Sequence, residues 1–317
     1  MFTIDYDNKK SIREAFGKEL LALGAKDSNI VVLDADLSAS TQTKFFAKEY
    51  PERFFDCGIA EQGLIATAAG LALAGKTAFA ATFAVFATGR TYDQIRISVC
   101  YQNANVKIIG THGGITVGED GASHQALEDV SLMRGLPNMT VIVPSDYEEC
   151  KQVVDYAASI NTPVYVRISR NNLPDVYPSG YKFNPVKAYI FKEGKSLTII
   201  SNGDVLSECV KAAEILSKKG IDAEIISLPV VKPLDTETII KSAQKTGFVV
   251  TVENHSIIGG IGSAVSECLS EKHPTRVLRI GMNDTFGQSG SASELLKHYE
   301  LDAEGIANRI IKALWFN

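Results

Sequence analysis

Short apolar runs of strand length alternate with longer stretches of helical periodicity through the first half of the chain. Such runs, rich in Val, Ile and Phe, are typical of strands that are buried on both faces of a sheet. The pattern predicts strands at 29–36, 54–57, 77–82, 106–112, 139–144 and 163–169. It predicts helices at 9–24, 60–74, 85–101, 124–134 and 146–158. Strict alternation of strand and helix indicates a parallel sheet with helices on both faces.

A proline-containing stretch interrupts this alternation. Residues 171–187 carry Pro174, Pro178 and Pro185 among Asn, Asp, Ser and Gly, which is typical of a linker. A second, smaller α/β unit follows, with strands predicted at 197–202, 223–228, 248–253 and 276–281 and a last helix at 302–314. We therefore predict two doubly wound α/β domains with mostly parallel sheets. Their predicted bounds are 1–172 and 191–317, with a linker at 173–190.

The apolar stretch at 64–89 is long enough to suggest a membrane span. It is rich in Ala and Gly, however, and Gly75 and Lys76 form a turn signal inside it. A strand-prone sequence, T-A-F-A-A-T-F, follows that turn. We therefore predict a buried helix that leads into a buried parallel strand, and no contact with a membrane.

Composition narrows the classes of function. The 317 residues are 45% hydrophobic and 22% charged, as in ordinary globular domains. The net charge is −5 with both signs spread along the chain, so no basic patch favours nucleic acid as a partner. Five cysteines lie scattered without a C-x-x-C pair, which favours free thiols in a reducing compartment. The N-terminus has no apolar signal core, and we expect a cytoplasmic protein.

The segment D-C-G-I-A-E-Q-G at 56–63 places a carboxylate, Glu61, after a strand and a glycine turn, at the start of a helix. A Glu in a first helical turn is commonly a capping residue, because the helix dipole favours negative charge there. The alternative is a buried acid that shares a proton with a ligand. Phe83 and Phe86 follow, and then a polar loop, H-G-G-I-T-V-G-E-D-G-A-S-H-Q (112–125). This combination favours a functional role for Glu61.

These segments resemble the pyrimidine-binding domain of transketolases. The resemblance rests on D-C-G-I-A-E-Q-G, T-F-A-V-F (82–86), G-E-D-G-A-S-H-Q (118–125), L-P-N-M-T-V-I-V-P-S-D (136–146) and V-R-I-S-R (166–170). V-T-V-E-N-H-S-I-I-G-G-I-G-S-A-V (250–265) and D-T-F-G-Q-S-G (284–290) resemble the family's C-terminal domain. The family's diphosphate-binding domain, with its Gly-Asp-Gly metal motif, has no counterpart in this sequence. The resemblance therefore implies the C-terminal half of a split transketolase.

Thiamine diphosphate is the cofactor that this resemblance implies. Glu61 matches the carboxyl group that hydrogen-bonds to the aminopyrimidine and favours the form that removes the C2 proton of the thiazolium. A carboxyl group in an apolar pocket can share that proton near neutral pH. Phe83 and Phe86 match the walls of the pyrimidine pocket, and Asp36 matches a position near the thiazolium. Gly89 stands where many transketolases have a third aromatic residue.

The resemblance also implies sugar-phosphate substrates. In the polar loop, His112 and Asp120 match groups that bond sugar hydroxyls, and His124 matches a group that reaches the phosphate or assists proton movement. The spacing of these three residues is no standard zinc pattern, and we predict no metal ligand in this chain. Two guanidinium groups and a hydroxyl suit a phosphate monoester. The positions that match the family's phosphate site are Arg13, Ser40 and Arg170.

The resemblance implies a partner as well. A second polypeptide, the N-terminal subunit, would hold the diphosphate and its Mg²⁺ or Ca²⁺, so this chain by itself would be inactive. The family builds its cofactor sites between subunits, which implies a dimer of this chain joined to two partner chains as a heterotetramer. The turn at 253–262 is not a G-x-G-x-x-G loop, and we interpret it as an architectural turn near a subunit contact.

Other interpretations remain open. Within the same superfamily, a deoxyxylulose-phosphate synthase, the β subunit of an oxo-acid dehydrogenase and a transketolase for an unusual sugar phosphate are alternatives. The G-E-D-G-A-S-H-Q loop with Arg170 favours sugar phosphates over a lipoyl partner. A non-enzymatic binding or scaffold module is the last alternative. A scaffold has no physical need for Glu61 together with the polar loop, which argues against it.

Overall fold

A computed structural model describes residues 4–315 and divides the chain into two compact units. The first unit runs to Gly113 and resumes at Leu132–Phe183. The second unit comprises Gly114–Ser131 and the chain from Asn184 onward. Both units are α/β, with helices packed on mostly parallel sheets, as predicted. The predicted domain bounds of 1–172 and 191–317 stay predictions.

Eight strands belong to the first unit: β1 Lys9–Ser11, β2 Ile30–Asp34, β3 Phe54–Asp56, β4 Thr77–Phe83, β5 Val106–Thr111, β6 Thr140–Ile142, β7 Val164–Ile168 and β8 Asn172–Pro174. Six of them form a sheet in the order β6-β7-β5-β4-β2-β3, each parallel to its neighbours. Strands β2, β5 and β7 are buried along their whole length, as their apolar sequences require. The remaining pair, β1 and β8, is antiparallel.

The helices up to the end of this unit are α1 Ile12–Lys26, α2 Ser38–Thr41, α3 Lys44–Glu49, α4 Glu61–Leu73, α5 Tyr92–Gln94, α6 Asp129–Arg134 and α7 Tyr147–Ser159. Short 3₁₀ turns lie at Pro51–Arg53 and Ile115–Val117. The side chains of Ser11 and Asp146 cap α1 and α7 by accepting bonds from backbone N–H groups. Helix α4 has no side-chain cap of this kind.

The second unit has its own sheet. The unit contains the strands β9 Tyr189–Lys192, β10 Leu197–Ser201, β11 Ala223–Ser227, β12 Val230–Lys232, β13 Phe248–Ser256 and β14 Arg276–Met282, and all of them except β12 belong to this sheet. The sheet order is β14-β13-β10-β11-β9, and only the β9 edge pairs antiparallel. Its helices are α8 Leu206–Ser217, α9 Thr236–Thr246, α10 Ile261–Lys272, α11 Ala292–His298 and α12 Ala303–Trp315, with a 3₁₀ turn at Gly203–Val205. Buried Ile200, Ile226, Ile239 and Val249 form part of its core.

Several predicted elements differ from the observed ones, and the first three residues of the helix predicted at 9–24 form the strand β1. The helix predicted at 124–134 begins only at Asp129, because the backbone carbonyls of Ala126 and Leu127 accept bonds from Gly114 N and Ser256 N at 2.9 and 2.8 Å and not from a helical turn. The helix predicted at 85–101 is interrupted, with wide π-helical turns at Phe86–Arg90 and Ile95–Tyr101 around α5. Strands β8 and β9 lie inside or at the ends of the stretch predicted as a linker.

Candidate active site

Glu61 is a buried carboxylate at the first position of α4. The strand β3 ends at Asp56, and Gly58, with a φ of +67°, turns the chain into the helix. Only 3% of the Glu61 side chain is exposed. A buried charge is costly unless it is paired, so its partner decides what the residue can do. The helix dipole at α4 gives one favourable term for a negative charge here.

Arg90 is that partner, and the pattern of the sequence does not predict it. Its Nη1 donates to Oε2 of Glu61 at 2.8 Å. The same guanidinium lies over the ring of Phe86, with Cζ 4.5 Å from the ring centroid. One planar cation therefore contacts both the buried carboxylate and the aromatic ring, which shows that Glu61 and Phe86 border a common space.

The aromatic residues continue from this point. The rings of Phe86 and Phe83 lie 6.1 Å apart, centroid to centroid, at an interplanar angle of 17°. The imidazole of His112 lies 3.9 Å from the ring of Phe83. Phe83 ends β4 and His112 follows β5, and these neighbouring parallel strands deliver both side chains to the same edge of the sheet. Glu61, Phe83, Phe86 and His112 therefore form one continuous group with Arg90, which we call the Glu61 cluster.

Two threonines shape the turn that carries Phe86 and Arg90. Thr88 Oγ1 donates to the carbonyl of Ala84 at 2.8 Å, and Thr91 Oγ1 donates to that of Ala87 at 2.5 Å. Bonds of this type compete with the regular helical ladder and widen it. The backbone is held firmly at both threonines, whereas a Cβ on Gly89 would meet no atom within 4 Å. The turn is thus fixed by its buried threonines and open at Gly89.

Arg13, Ser40 and Arg170 form a second group in the first unit. Arg13 Nη1 donates to the backbone carbonyl of Ser40 at 2.8 Å. Burial, and then the neighbouring charge of Arg170, lower the pKa of Arg13. The Nε of Arg13 is buried and finds no acceptor among the residues described. Two neighbouring guanidinium groups, one of which has a buried N–H donor without an acceptor, favour an anion as ligand.

The turn that carries Ser40 depends on Asp34, a buried acid at the end of β2. Its carboxylate accepts bonds from Leu37 N at 2.6 Å, Thr41 Oγ1 at 2.7 Å and Thr43 Oγ1 at 2.9 Å. Burial raises the pKa of Asp34, and these three donors oppose that effect. The sequence pattern placed Asp34 within the strand predicted at 29–36 and gave it no other role. Its donors give it a positioning role for the Ser40 turn.

Asp36 lies beside this turn and is exposed. Its backbone has a φ of +59°, and His112 has a φ of +61°, so both residues lie in the left-handed region that non-glycine residues rarely adopt. The carboxylate of Asp56 fixes the backbone of Asp36 by accepting a hydrogen bond from Asp36 N at 3.0 Å. It also accepts a hydrogen bond from Gly58 N at 2.9 Å. Asp56 thus joins the loop of Asp36 to the turn that precedes Glu61.

Asp120 and His124 lie in the second unit. Asp120 is exposed, His124 is half-buried, and Ser123 Oγ lies 2.9 Å from His124 Nδ1. Asn254 fixes the start of their loop, since its Oδ1 accepts from Ile115 N at 2.9 Å and its Nδ2 donates to Asp204 Oδ2 at 2.9 Å. A Cβ on Gly114 would meet the side-chain amide of Asn254 within 2.5 Å, so only a glycine fits at position 114.

The turn at 253–262 begins with a structural acid. Glu253 accepts from the backbone of Ile261 at 2.8 Å and of Gly262 at 3.0 Å, at the start of α10. Within residues 4–315, no group of three or more His, Cys, Asp or Glu side chains is placed to hold a metal ion. In the same range no helix combines the length and the apolar character needed to cross a membrane.

Comparison with known proteins covers both units. The family model of the transketolase pyrimidine-binding domain matches residues 8–176, and that of the transketolase C-terminal domain matches residues 186–306. A Methanocaldococcus jannaschii protein assigned as a transketolase C-terminal section is 51% identical, over 96% of each chain. A 6-deoxy-6-sulfo-D-fructose transketolase subunit of a Clostridium species is 40% identical, over 93% of this chain and 92% of its own. The solved structure of a split-gene transketolase, an inactive β4 tetramer, matches with a TM-score of 0.89 at 49% identity, over 96% of this chain and 98% of that one.

Proposed function

Because the chain belongs to the transketolase family, we propose that it is the C-terminal subunit of a split transketolase that depends on thiamine diphosphate. It would transfer a two-carbon ketol unit between sugar phosphates. The observation that carries the proposal is the Glu61 cluster. A single guanidinium reaches both the Glu61 carboxylate and the Phe86 ring, so a planar nitrogen-containing group fits the space between them.

The residues present fit the pyrimidine end of the cofactor. Glu61, almost fully buried, supplies the carboxyl group that accepts or shares a proton with the ring nitrogen opposite the amine. Phe83 and Phe86 supply flat apolar walls for the ring, and Asp36 belongs near the thiazolium. When bound, thiamine diphosphate supplies the electron sink that allows a carbon–carbon bond of a ketose to break.

The sugar phosphate would be bound by the other polar groups. Arg13, the Ser40 turn and Arg170 suit the phosphate, because Arg13 keeps a buried donor without an acceptor. His112 lies against Phe83 and so belongs beside the pyrimidine, where it can bond a sugar hydroxyl. Asp120 and His124 would bond further hydroxyls or the phosphate, with His124 assisting proton movement.

A second polypeptide would complete the enzyme. The relatives support this, since one is a C-terminal section, another a subunit and a third a split-gene product. The exposed side of α4 supports it too: Gln62, Gly63, Ala66, Thr67 and Gly70 are exposed and carry no charge. The partner would hold the diphosphate and its Mg²⁺ or Ca²⁺. We propose a heterotetramer, a dimer of this chain with two partners, in the cytoplasm and in pentose phosphate metabolism.

One observation favours a particular alternative substrate. The Clostridium relative is named for 6-deoxy-6-sulfo-D-fructose, a sugar that carries a sulfonate in place of a phosphate. A site of two arginines accepts either anion. A transketolase for an unusual sugar is therefore the second candidate. A deoxyxylulose-phosphate synthase and an oxo-acid dehydrogenase β subunit are alternatives that the same assay separates.

The test is ketol transfer from xylulose phosphate to ribose phosphate, measured with the partner chain, thiamine diphosphate and Mg²⁺. We expect activity only when both polypeptides are present. Glu61→Gln should lower turnover by about two to four orders of magnitude, the usual effect of losing a positioned proton-sharing group. Glu52→Gln, a change of the same kind at an exposed carboxylate, is the control. Near-full activity of Glu61→Gln would remove Glu61 from the mechanism, and pyruvate consumption would favour the alternative thiamine enzymes.

A further inference from the structure

The Arg90–Glu61 pair has features of a contact that must open. Glu61 is 3% exposed, whereas Arg90 is 48% exposed, so the cation lies at the surface of the chain and the anion lies beneath it. The backbone carbonyl of Arg90 accepts a bond from Gln62 Nε2 at 3.2 Å, and the neighbouring Thr91 is buried. The backbone is thus fixed, while the side chain can turn into solvent by rotamer changes alone.

The contacts of the Arg90 guanidinium are those that a pyrimidine would need. It is planar, it lies over the Phe86 ring and it bonds to the buried carboxylate oxygen. An aminopyrimidine bound by Glu61 and the phenylalanines would use the same carboxylate and the same aromatic face. The two groups cannot occupy that space together.

We infer that Arg90 is a competitor for the pyrimidine site: it holds Glu61 in the cofactor-free chain and must be displaced when the pyrimidine binds. This inference rests on the proposed function. Arg90 gives the buried carboxylate a counter-charge while the site is open to water, which removes the cost of an unpaired buried ion. The same contact opposes binding, because every ligand of Glu61 must first break it. Gly89 beside it leaves room for the displaced side chain, since a Cβ there would meet no atom within 4 Å.

The substitution Arg90→Gln tests this inference through two opposite effects. The isolated chain should unfold at a lower denaturant concentration than the wild type, because Glu61 loses its counter-charge. The complex with the partner chain should bind thiamine diphosphate more tightly, by roughly five- to thirtyfold, which is the factor that one modest contact represents. Isothermal titration calorimetry with thiamine diphosphate and Mg²⁺ measures the second effect. A residue with a purely structural role would weaken binding when lost, and would not strengthen it.

Arg96→Gln is the matched control, since Arg96 is an exposed arginine in the next turn of the same segment. It removes the same charge and should leave both the midpoint of unfolding and the affinity close to those of the wild type. Unchanged or weaker binding by Arg90→Gln, with wild-type binding intact, overturns the inference and leaves the proposed function standing. If the wild-type complex itself binds no thiamine diphosphate, the proposed function fails, and the inference fails with it.

Discussion

Lys107 is a fully buried cation at the start of β5, at the opposite end of that strand from His112. Its Nζ donates to the carbonyls of Ile160 and Thr162, each at 2.7 Å. Burial lowers the pKa of Lys107 to about 7. In the unfolded chain the same group has an ordinary pKa near 10.5. Between pH 7 and pH 10.5 the unfolded chain holds a proton on this lysine that the folded chain has lost. The free energy of unfolding therefore rises with pH over this range.

Replacing Lys107 by Met should remove that contribution. We expect the free energy of unfolding of the wild type, relative to the variant, to increase from pH 7 to pH 10 by at most about 1.4 kcal/mol per pH unit. Below pH 7 the difference should level off, because both states are then protonated. Denaturant titrations at four pH values measure this. Lys182→Met, at an exposed lysine, should show no such slope, and a flat difference for Lys107→Met would contradict a lowered pKa.

The sequence allowed part of the Glu61 cluster to be predicted. Phe83 and His112 each stand just after or at the end of a predicted strand, and parallel strands bring such residues to one edge of a sheet. Glu61 and Phe86 lie in the first turns of the helices predicted to follow such strands. Their roles stay predictions, as do those of Asp36, Asp120 and His124. The contact of Arg90 with Glu61 was not predicted, because an arginine within the helix predicted at 85–101 is usually a surface charge. Only the three-dimensional path of the π-helical turn brings it to Glu61.

At the scale of elements, the segment 85–101 shows what periodicity misses. Its spacing of apolar residues predicts one helix, and the structure has wide turns on both sides of α5. Thr88 and Thr91 bond to carbonyls four residues before them, which bends the ladder, but threonines of this kind also occur in regular helices. π-Helical turns are frequent at functional sites. The π-helical turn at Phe86–Arg90 places Arg90 against Glu61.

The loop that carries Asp120 and His124 depends on Asn254 of β13. Asn254→Ala removes the acceptor of Ile115 N and a donor to Asp204, and it leaves buried polar groups without that partner. We expect a loss of about 2 kcal/mol in the free energy of unfolding. The amide of Ile115 should also exchange its hydrogen faster. Amide exchange read by mass spectrometry measures the second effect.

Asn308→Ala is the control for this change, since Asn308 is exposed on α12. It should change the free energy of unfolding by no more than a few tenths of a kcal/mol. The rate of hydrogen exchange at the amide of Ile115 should stay the same. If Asn254→Ala left the exchange of Ile115 at the wild-type rate, the loop would be held by its own turns. The positioning role of Asn254 would then be wrong.

At the scale of the whole molecule, the alternation of strands and helices was enough to predict two α/β units with mostly parallel sheets. The antiparallel β9 edge was not predicted, because Y-I-F-K at 189–192 is only four residues long and follows a proline-containing stretch. The membership of 114–131 in the second unit was not predicted either. Side-chain bonds such as those of Asn254 decide that membership, and hydrophobic periodicity carries no information about them.

The burial of α4 was predicted because the apolar stretch that begins at residue 64 is rich in Ala and Gly, and the structure shows the helix to be buried on one side only. Gly63, Gly70 and Leu73 are exposed, and a Cβ on Gly70 would meet no atom within 4 Å. Glycine within a helix costs roughly 0.5–1 kcal/mol relative to alanine. No close contact in the described part of the chain requires a glycine at position 70. A reason exists if another polypeptide packs closely on this side, as the proposed partner would.

Two substitutions of Gly70 separate the effects within the chain from those between chains. Gly70→Ala should raise the free energy of unfolding of the isolated chain by roughly 0.5–1 kcal/mol. Gly70→Leu should fold equally well, because the space around it is open, but should lose binding to the partner chain and with it the ketol transfer. Analytical ultracentrifugation of the mixed chains measures the association, and Asn308→Leu, at an exposed position of α12, controls for an added surface leucine. Full assembly and activity of Gly70→Leu would show that the uncharged side of α4 faces water in the enzyme, and the partner would then bind elsewhere.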